Sequence, residues 1–273
     1  MDHVAGRVRR FGHDGRLHWS FGRIGAGPNE FADLRDLKVD AEGRAWVLDP
    51  VNSRVLVLDE DGTPVRRIPL TTLGNSPREL VLLDGSGILL LTDSPDREPL
   101  VEIDTLGHHR RQLGFPWAGF KKLDYLATQL VTGANAQTGD WVMAFRLGDG
   151  FFAANGDVET RRGWFVEHVA FPEVQREQRG SKTSVWRHRH RPTDAAVSVT
   201  VSPSRIYVLF GGTSRERYRL VDSYALETGE YLNSYVLPRA VSEISWYNGG
   251  FYVLSENPYP EIRYFHPLKS SAP

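Results

Sequence analysis

Residues 34–70 read LRDLKVDAEG, RAWVLDPVN, SRVLVLDEDG and TPVRRIPL, four strand-length pieces that each close on a turn or a proline-bound apolar end. Each piece has the length of a strand, with apolar residues in alternation. The turns are Ala41-Glu42-Gly43, Asp49-Pro50-Val51-Asn52 and Asp59-Glu60-Asp61-Gly62. Gly, Asn and Asp tolerate the positive φ that tight hairpins demand. Four antiparallel strands joined this way make one blade of a β-propeller.

The same grammar recurs along the chain. Residues 77–115 carry PRELVLLDG, GILLLTDS, PLVEIDTLG and HHRRQLGF. Residues 195–238 carry AAVSVTVSP, SRIYVLFGG, YRLVDSYALETG and EYLNSYVLP. Residues 240–269 give three strands, and 125–168 form a more divergent unit. The spacing of roughly 40–45 residues suits blades rather than helical solenoids, and no long helical period competes. One blade cannot bury both its faces, so several must stack. Residues 4–22, VAGRVRRFGHDG and RLHWSFG, match the third and fourth strands of a blade. The expectation is therefore an all-β protein, one propeller domain over 1–273, built from four-stranded antiparallel blades at 31–70, 77–115, 125–168, 195–238 and 240–269. It is six-bladed with an incomplete first blade at 4–22; the alternative is five closed blades, with 16–22 lent to the last.

Composition narrows the function classes. The chain has 33 basic and 34 acidic residues, a formal net charge of −1, which disfavours a dedicated nucleic-acid or membrane-surface binder. There are no cysteines, which excludes disulfides, thiolate metal sites and cysteine nucleophiles. No apolar run approaches the roughly 18–20 residues of a membrane span. Residues 1–7 lack the basic-then-apolar pattern of a signal peptide, so the compartment stays open. An extracytoplasmic location would follow if a leader lies upstream of Met1.

Residues 21–58, FGRIGAGPNEFADLRDLKVDAEGRAWVLDPVNSRVLVL, resemble an NHL repeat. The FG-x-x-G-x-GP-x-EF opening, the V-D-x-x-G turn and the V-x-D-x-x-N-x-R-V hairpin agree in order. The chain is similar to the bacterial six-bladed NHL propellers. That resemblance implies structural roles for Gly25, Gly27, Pro28, Gly43 and Gly62, hairpin capping by Asp49 and Asn52, and a carboxylate or carbonyl partner for Arg54. It also implies a protein-interaction module. Related propellers include lactonases, peptide-amidating lyases and streptogramin lyases with a channel cation, and some NHL propellers bind RNA through strongly basic faces.

Propellers bind at the central channel or where inter-strand loops gather. The residues ahead of each inner strand are the candidate channel mouth: Arg35, Asp36, Arg78, Glu79, Gln129, Ser198 and Glu243. Were Asp36, Glu79 and Glu243 to converge, their oxygens would suit Ca²⁺ or another hard cation. The plainer reading pairs each carboxylate with an adjacent Arg35 or Arg78. The stretch Trp186-Arg187-His188-Arg189-His190-Arg191 holds two histidines at i, i+2, which share a face on a strand. The flanking arginines repel a cation, so this run reads as a basic surface suited to an acidic partner. It sits in an insert, 171–194, that departs from the repeat and is either a recognition element or a poorly ordered loop. His108-His109 on an outer strand point to opposite faces and do not make a metal pair. No G-x-S-x-G elbow is present. The expected function is a monomeric, non-enzymatic scaffold for a protein or small-molecule ligand, with no nucleic acid. The alternative is a metal-dependent hydrolase or lyase with a cation at the central channel.

Overall fold

The structure, a computed structural model, describes residues 1–71, 77–83, 87–92, 100–113, 129–135, 137–155, 161–179, 182–187, 193–256 and 258–266. Every regular element among them is a β-strand. No helix among the described residues is long and apolar enough to cross a membrane.

Two compact units divide the chain, Met1–Lys121 and Lys122–Pro273. The first contains an N-terminal hairpin, β1 (Val8–Phe11) and β2 (Leu17–Phe21). A four-stranded sheet follows: β3 (Asp36–Val39), β4 (Ala45–Asp49), β5 (Arg54–Leu58) and β6 (Pro64–Pro69). A second one comprises β7 (Pro77–Leu82), β8 (Gly87–Thr92), β9 (Leu100–Asp104) and β10 (His109–Leu113). The second unit opens with the sheet of β11 (Leu130–Asn135), β12 (Asp140–Phe145), β13 (Phe151–Asn155) and β14 (Arg161–Gly163). A hairpin of β15 (Val174–Arg179) and β16 (Lys182–Arg187) comes next. Then come the sheet of β17 (Ala196–Val201), β18 (Arg205–Phe210), β19 (Leu220–Ala225) and β20 (Tyr231–Val236), and the three-stranded sheet of β21 (Glu243–Tyr247), β22 (Gly250–Ser255) and β23 (Glu261–Phe265). Every pairing within these sheets is antiparallel, in chain order. These are the blades of a β-propeller. Five sheets have three or more strands among the described residues, and β1–β2 and β15–β16 are two-stranded.

Burial follows the sequence pattern. The apolar runs of β4 and β5 are buried at every residue, whereas β6, with Arg66 and Arg67, is mostly exposed. The hairpins between them turn on Gly43 and Gly62, at φ of 77° and 86°, a region that Gly enters without a Cβ penalty. Because side chains alternate across a strand, β4 feeds two cores. Trp46 and Leu48 join Leu80, Ile88, Leu90 and Val101 of the neighbouring sheet. Ala45 and Val47 face Val8 and Phe31, with Trp19 and Phe21 of the N-terminal hairpin packed alongside. The Trp19 indole N–H also donates to the Glu60 carbonyl at 2.8 Å. In the second unit, β18 does the same: Ile206, Val208 and Phe210 pack with Val142, Phe151 and Tyr224, while Tyr207 and Leu209 pack with Ile244, Phe251 and Val253.

Within each unit the first strands of consecutive sheets lie side by side, β3 with β7, and β17 with both β11 and β21. Between β11 and β17 the approach is so close that a Cβ on Gly133 would stand 2.7 Å from the Val199 carbonyl oxygen. Only a residue without a side chain fits there. Gly133→Ala should therefore cost about 1–3 kcal/mol through forced backbone displacement, read as a lowered urea midpoint; an unchanged midpoint would show that the two strands are not in contact.

Candidate functional site

Two of the candidate channel-mouth residues, Asp36 on β3 and Ser198 on β17, act as structural fasteners. Asp36 is buried, and both its oxygens are used. Oδ2 accepts the buried Leu80 backbone N–H of β7 at 2.8 Å. Oδ1 accepts the Leu37 N–H at 2.8 Å and the Lys38 ammonium at 3.0 Å. In the second unit the Ser198 hydroxyl accepts the Ile244 N–H at 3.2 Å, and the Thr200 hydroxyl accepts the Trp246 N–H at 3.0 Å. In each case an oxygen on one inner strand holds a backbone amide of the next.

The other candidate residues have surroundings of their own. Arg35 pairs with Asp33, at 2.5 Å, and not with Asp36, whose cation is Lys38. Glu79 is half-buried, Arg78 exposed and Glu243 exposed. Gln129 is half-buried and its carbonyl accepts the Arg146 N–H at 2.7 Å. Among the described residues, no three His, Asp or Glu side chains are grouped to hold a metal ion.

The 171–194 insert is not wholly a loop. Strands β15 and β16 pair in register, Val174 opposite Arg187, Gln175 opposite Trp186 and Arg179 opposite Lys182. Trp186 and Arg187 thus lie on the closing strand, while His188, Arg189, His190 and Arg191 fall outside the described residues.

The hairpin turn after β4 behaves differently from the capping expected of it. Asp49 Oδ1 accepts the Asp33 N–H at 3.1 Å, and its Oδ2 accepts from Asn52 Nδ2 at 2.7 Å. Buried Arg54 reaches Asp49 at 3.3 Å and donates to the carbonyls of Pro28 and Glu30. The turn therefore clamps the incoming loop 28–33. Beside that loop lies an open cleft of about 480 Å³ lined by Phe21, Arg23, Pro28, Asn29 and Glu30. The Gly27 N–H and the Arg23 guanidinium hold the Glu30 carboxyl below the usual carboxylate range.

An equivalent turn in the second unit carries groups that reading the sequence alone does not single out. Asp149, buried between β12 and β13, accepts the Phe165 N–H at 3.0 Å through Oδ1 and contacts His168 Nδ1 at 2.6 Å through Oδ2. The next residue back, Glu167, accepts both the N–H and the hydroxyl of Thr213, at 2.8 and 2.7 Å. The available signal is compositional: Asp149 stands between glycines in Gly148-Asp149-Gly150, a turn sequence. A third group is Asp222, 1% exposed, with the Ser234 hydroxyl donating to it at 2.5 Å. Burial pushes its carboxyl up, against the Ser234 hydrogen bond.

No known protein family matches the chain by sequence, and no curated protein does either. Its fold has many counterparts among solved structures. It is similar to virginiamycin B lyase from Staphylococcus aureus, with a TM-score of 0.54 at 9% identity over 98% of this chain and 79% of that one. It is similar to Kuenenia stuttgartiensis hydrazine synthase, with a TM-score of 0.54 at 11% identity over 96% and 90%. It is also similar to Chaetomium thermophilum Raptor, with a TM-score of 0.54 at 9% identity over 98% of this chain and 22% of that one. At such identities the likeness establishes the propeller fold alone.

Two measurements check these assignments. Asp36→Ala leaves the Leu80 amide buried and unpaired, which should cost about 1–3 kcal/mol in urea unfolding, and Asp36→Asn, which keeps an acceptor, should cost less. Asp222 is raised in the fold, so the protein binds its proton more tightly than the unfolded chain does. Stability is then lost as pH rises through the folded pKa, and the penalty persists above it. Asp222→Asn should therefore raise the melting temperature at neutral pH, and the gain should vanish below about pH 4.

Proposed function

We propose that the protein is a binding scaffold of the bacterial NHL type, six-bladed in plan with β1–β2 as an incomplete blade, and that its insert hairpin is the recognition element for an acidic protein partner. The observation that carries this reading is the hairpin itself. Where the repeat is interrupted, the chain builds a paired two-stranded ribbon instead of a minimal crossover. Its strands carry Arg176, Arg179, Lys182 and Arg187 against the single acid Glu177. Arg179 and Lys182 stand opposite each other at the end of the ribbon, and Trp186 lies opposite Gln175. Arginine suits bidentate capture of carboxylates.

A further point supports a scaffold: Asp36 and Ser198 spend their polar atoms on neighbouring strands.

The test is binding of a fluorescent acidic peptide, polyglutamate, to the full chain. Wild type should bind with a salt-dependent affinity, and the double variant Arg179→Glu, Lys182→Glu should bind about tenfold more weakly or worse. Equal affinities, or tighter binding of a single-stranded RNA of the same charge, would overturn the reading.

A further inference from the structure

The segment 164–169 is held at both ends of its exposed stretch. Phe165 and Val169 are buried in the core of the second unit, Glu167 is tied to Thr213 and His168 to Asp149. Trp164 just ahead of Phe165, and Val166 and His168 between Phe165 and Val169, have exposed side chains. The His168 side chain is 77% exposed, whereas the Asp149 side chain that it meets is 9% exposed. Neither contact serves a metal set, and neither is needed for the acidic-partner reading.

The chemistry of this pair follows from its geometry. An ionised carboxylate only accepts hydrogen bonds, so at 2.6 Å the proton between the two groups belongs to His168 Nδ1. In the neutral imidazole that fixes the tautomer, with the lone pair on Nε2. Asp149 cannot swing away, because its other oxygen holds the Phe165 N–H. A buried carboxylate that orients an imidazole, and stabilises the cation formed when the imidazole reacts, is the arrangement that activates histidine in acid–base and nucleophilic catalysis. The exposed Trp164 and Val166 supply an apolar surface in the same segment.

We infer that Asp149 and His168 form a reactive dyad toward acyl groups, with carboxylic esters as the substrate class. Nε2 attacks the ester carbonyl carbon and the bond to the alcohol oxygen breaks. The alcohol leaves with the Nδ1 proton, and water then hydrolyses the acyl-imidazole to the carboxylic acid and regenerates His168. Asp149 is a positioning residue in this scheme, since it touches only the imidazole.

His108 is a built-in comparator. It also meets an aspartate through Nδ1, Asp104 Oδ2 at 3.1 Å, and its side chain is 73% exposed. But Asp104 is 23% exposed and lies in the same turn, so its hold on the ring is looser and wetter. Diethyl pyrocarbonate reports the difference. It transfers an ethoxycarbonyl group to the imidazole as an anhydride C–O bond breaks, and the leaving group takes the displaced proton and decays to ethanol and CO2. Peptide mapping of the intact chain under limiting reagent should show His168 modified about tenfold faster than His108. Asp149→Asn should bring it down to the His108 rate. Turnover of p-nitrophenyl acetate by wild type should be lost in His168→Gln. If wild-type His168 reacts no faster than His108, the pair is only a structural clasp, and that comparison needs no variant to fold. Fast labelling that survives Asp149→Asn would equally overturn the proposal, because exposure alone would then explain it.

Discussion

A side-chain oxygen on one inner strand that accepts a backbone amide from the next is the contact on which the rest of the molecule depends. Blade faces otherwise meet through apolar side chains, as Trp46 and Leu48 meet Leu80 and Ile88. Apolar contact is non-directional and leaves two sheets free to slide. The Asp36–Leu80 bond in the first unit, and the Ser198–Ile244 and Thr200–Trp246 bonds in the second, remove that freedom. They also satisfy amides that the sheet leaves without partners, and an unpaired buried amide is expensive. Gly133 serves the same end by omission, letting β11 and β17 approach to backbone contact.

This use of polar atoms redistributes function. Inner-strand positions spend their oxygens on architecture, so reactive and recognising groups move to turns and crossovers. The turn after β4 shows one use, with Asp49 and Arg54 clamping the loop at 28–33. The turn after β12 keeps the same aspartate device in Asp149, but ends it on an exposed imidazole instead of on backbone and a buried arginine. One blade thus converts a fastener into a group that faces solvent. The hairpin at 174–187 is the larger departure, a ribbon of opposed cations added to an otherwise repetitive chain.

The fold class is legible in the sequence because its determinants are local. Each strand of residues 34–70 announces itself by alternation or by an unbroken apolar run, and each hairpin by Gly43, Asn52 or Gly62. The site is not legible, because its determinants lie far apart in sequence. Asp36 is fixed by an amide 44 residues away and Ser198 by one 46 away. Nothing adjacent to either names that partner. Arg35 shows the same limit at short range. It sits beside Asp36 in the chain, yet consecutive strand residues point to opposite faces and the arginine turns to Asp33. The insert is obscured by its polarity, although Gly180-Ser181 between VQREQR and KTSVWR is a hairpin signal.

Hydrogen exchange at the Leu80, Ile244 and Trp246 amides tests the central claim most directly. Their acceptors are side chains of another strand, so each amide should exchange as slowly as the ladder amides of the buried strands and only through opening of the blade pair. Exchange at the rate of the exposed turns would show that the inner strands are not fastened to each other, and the account of where this protein keeps its reactive groups would fall with it.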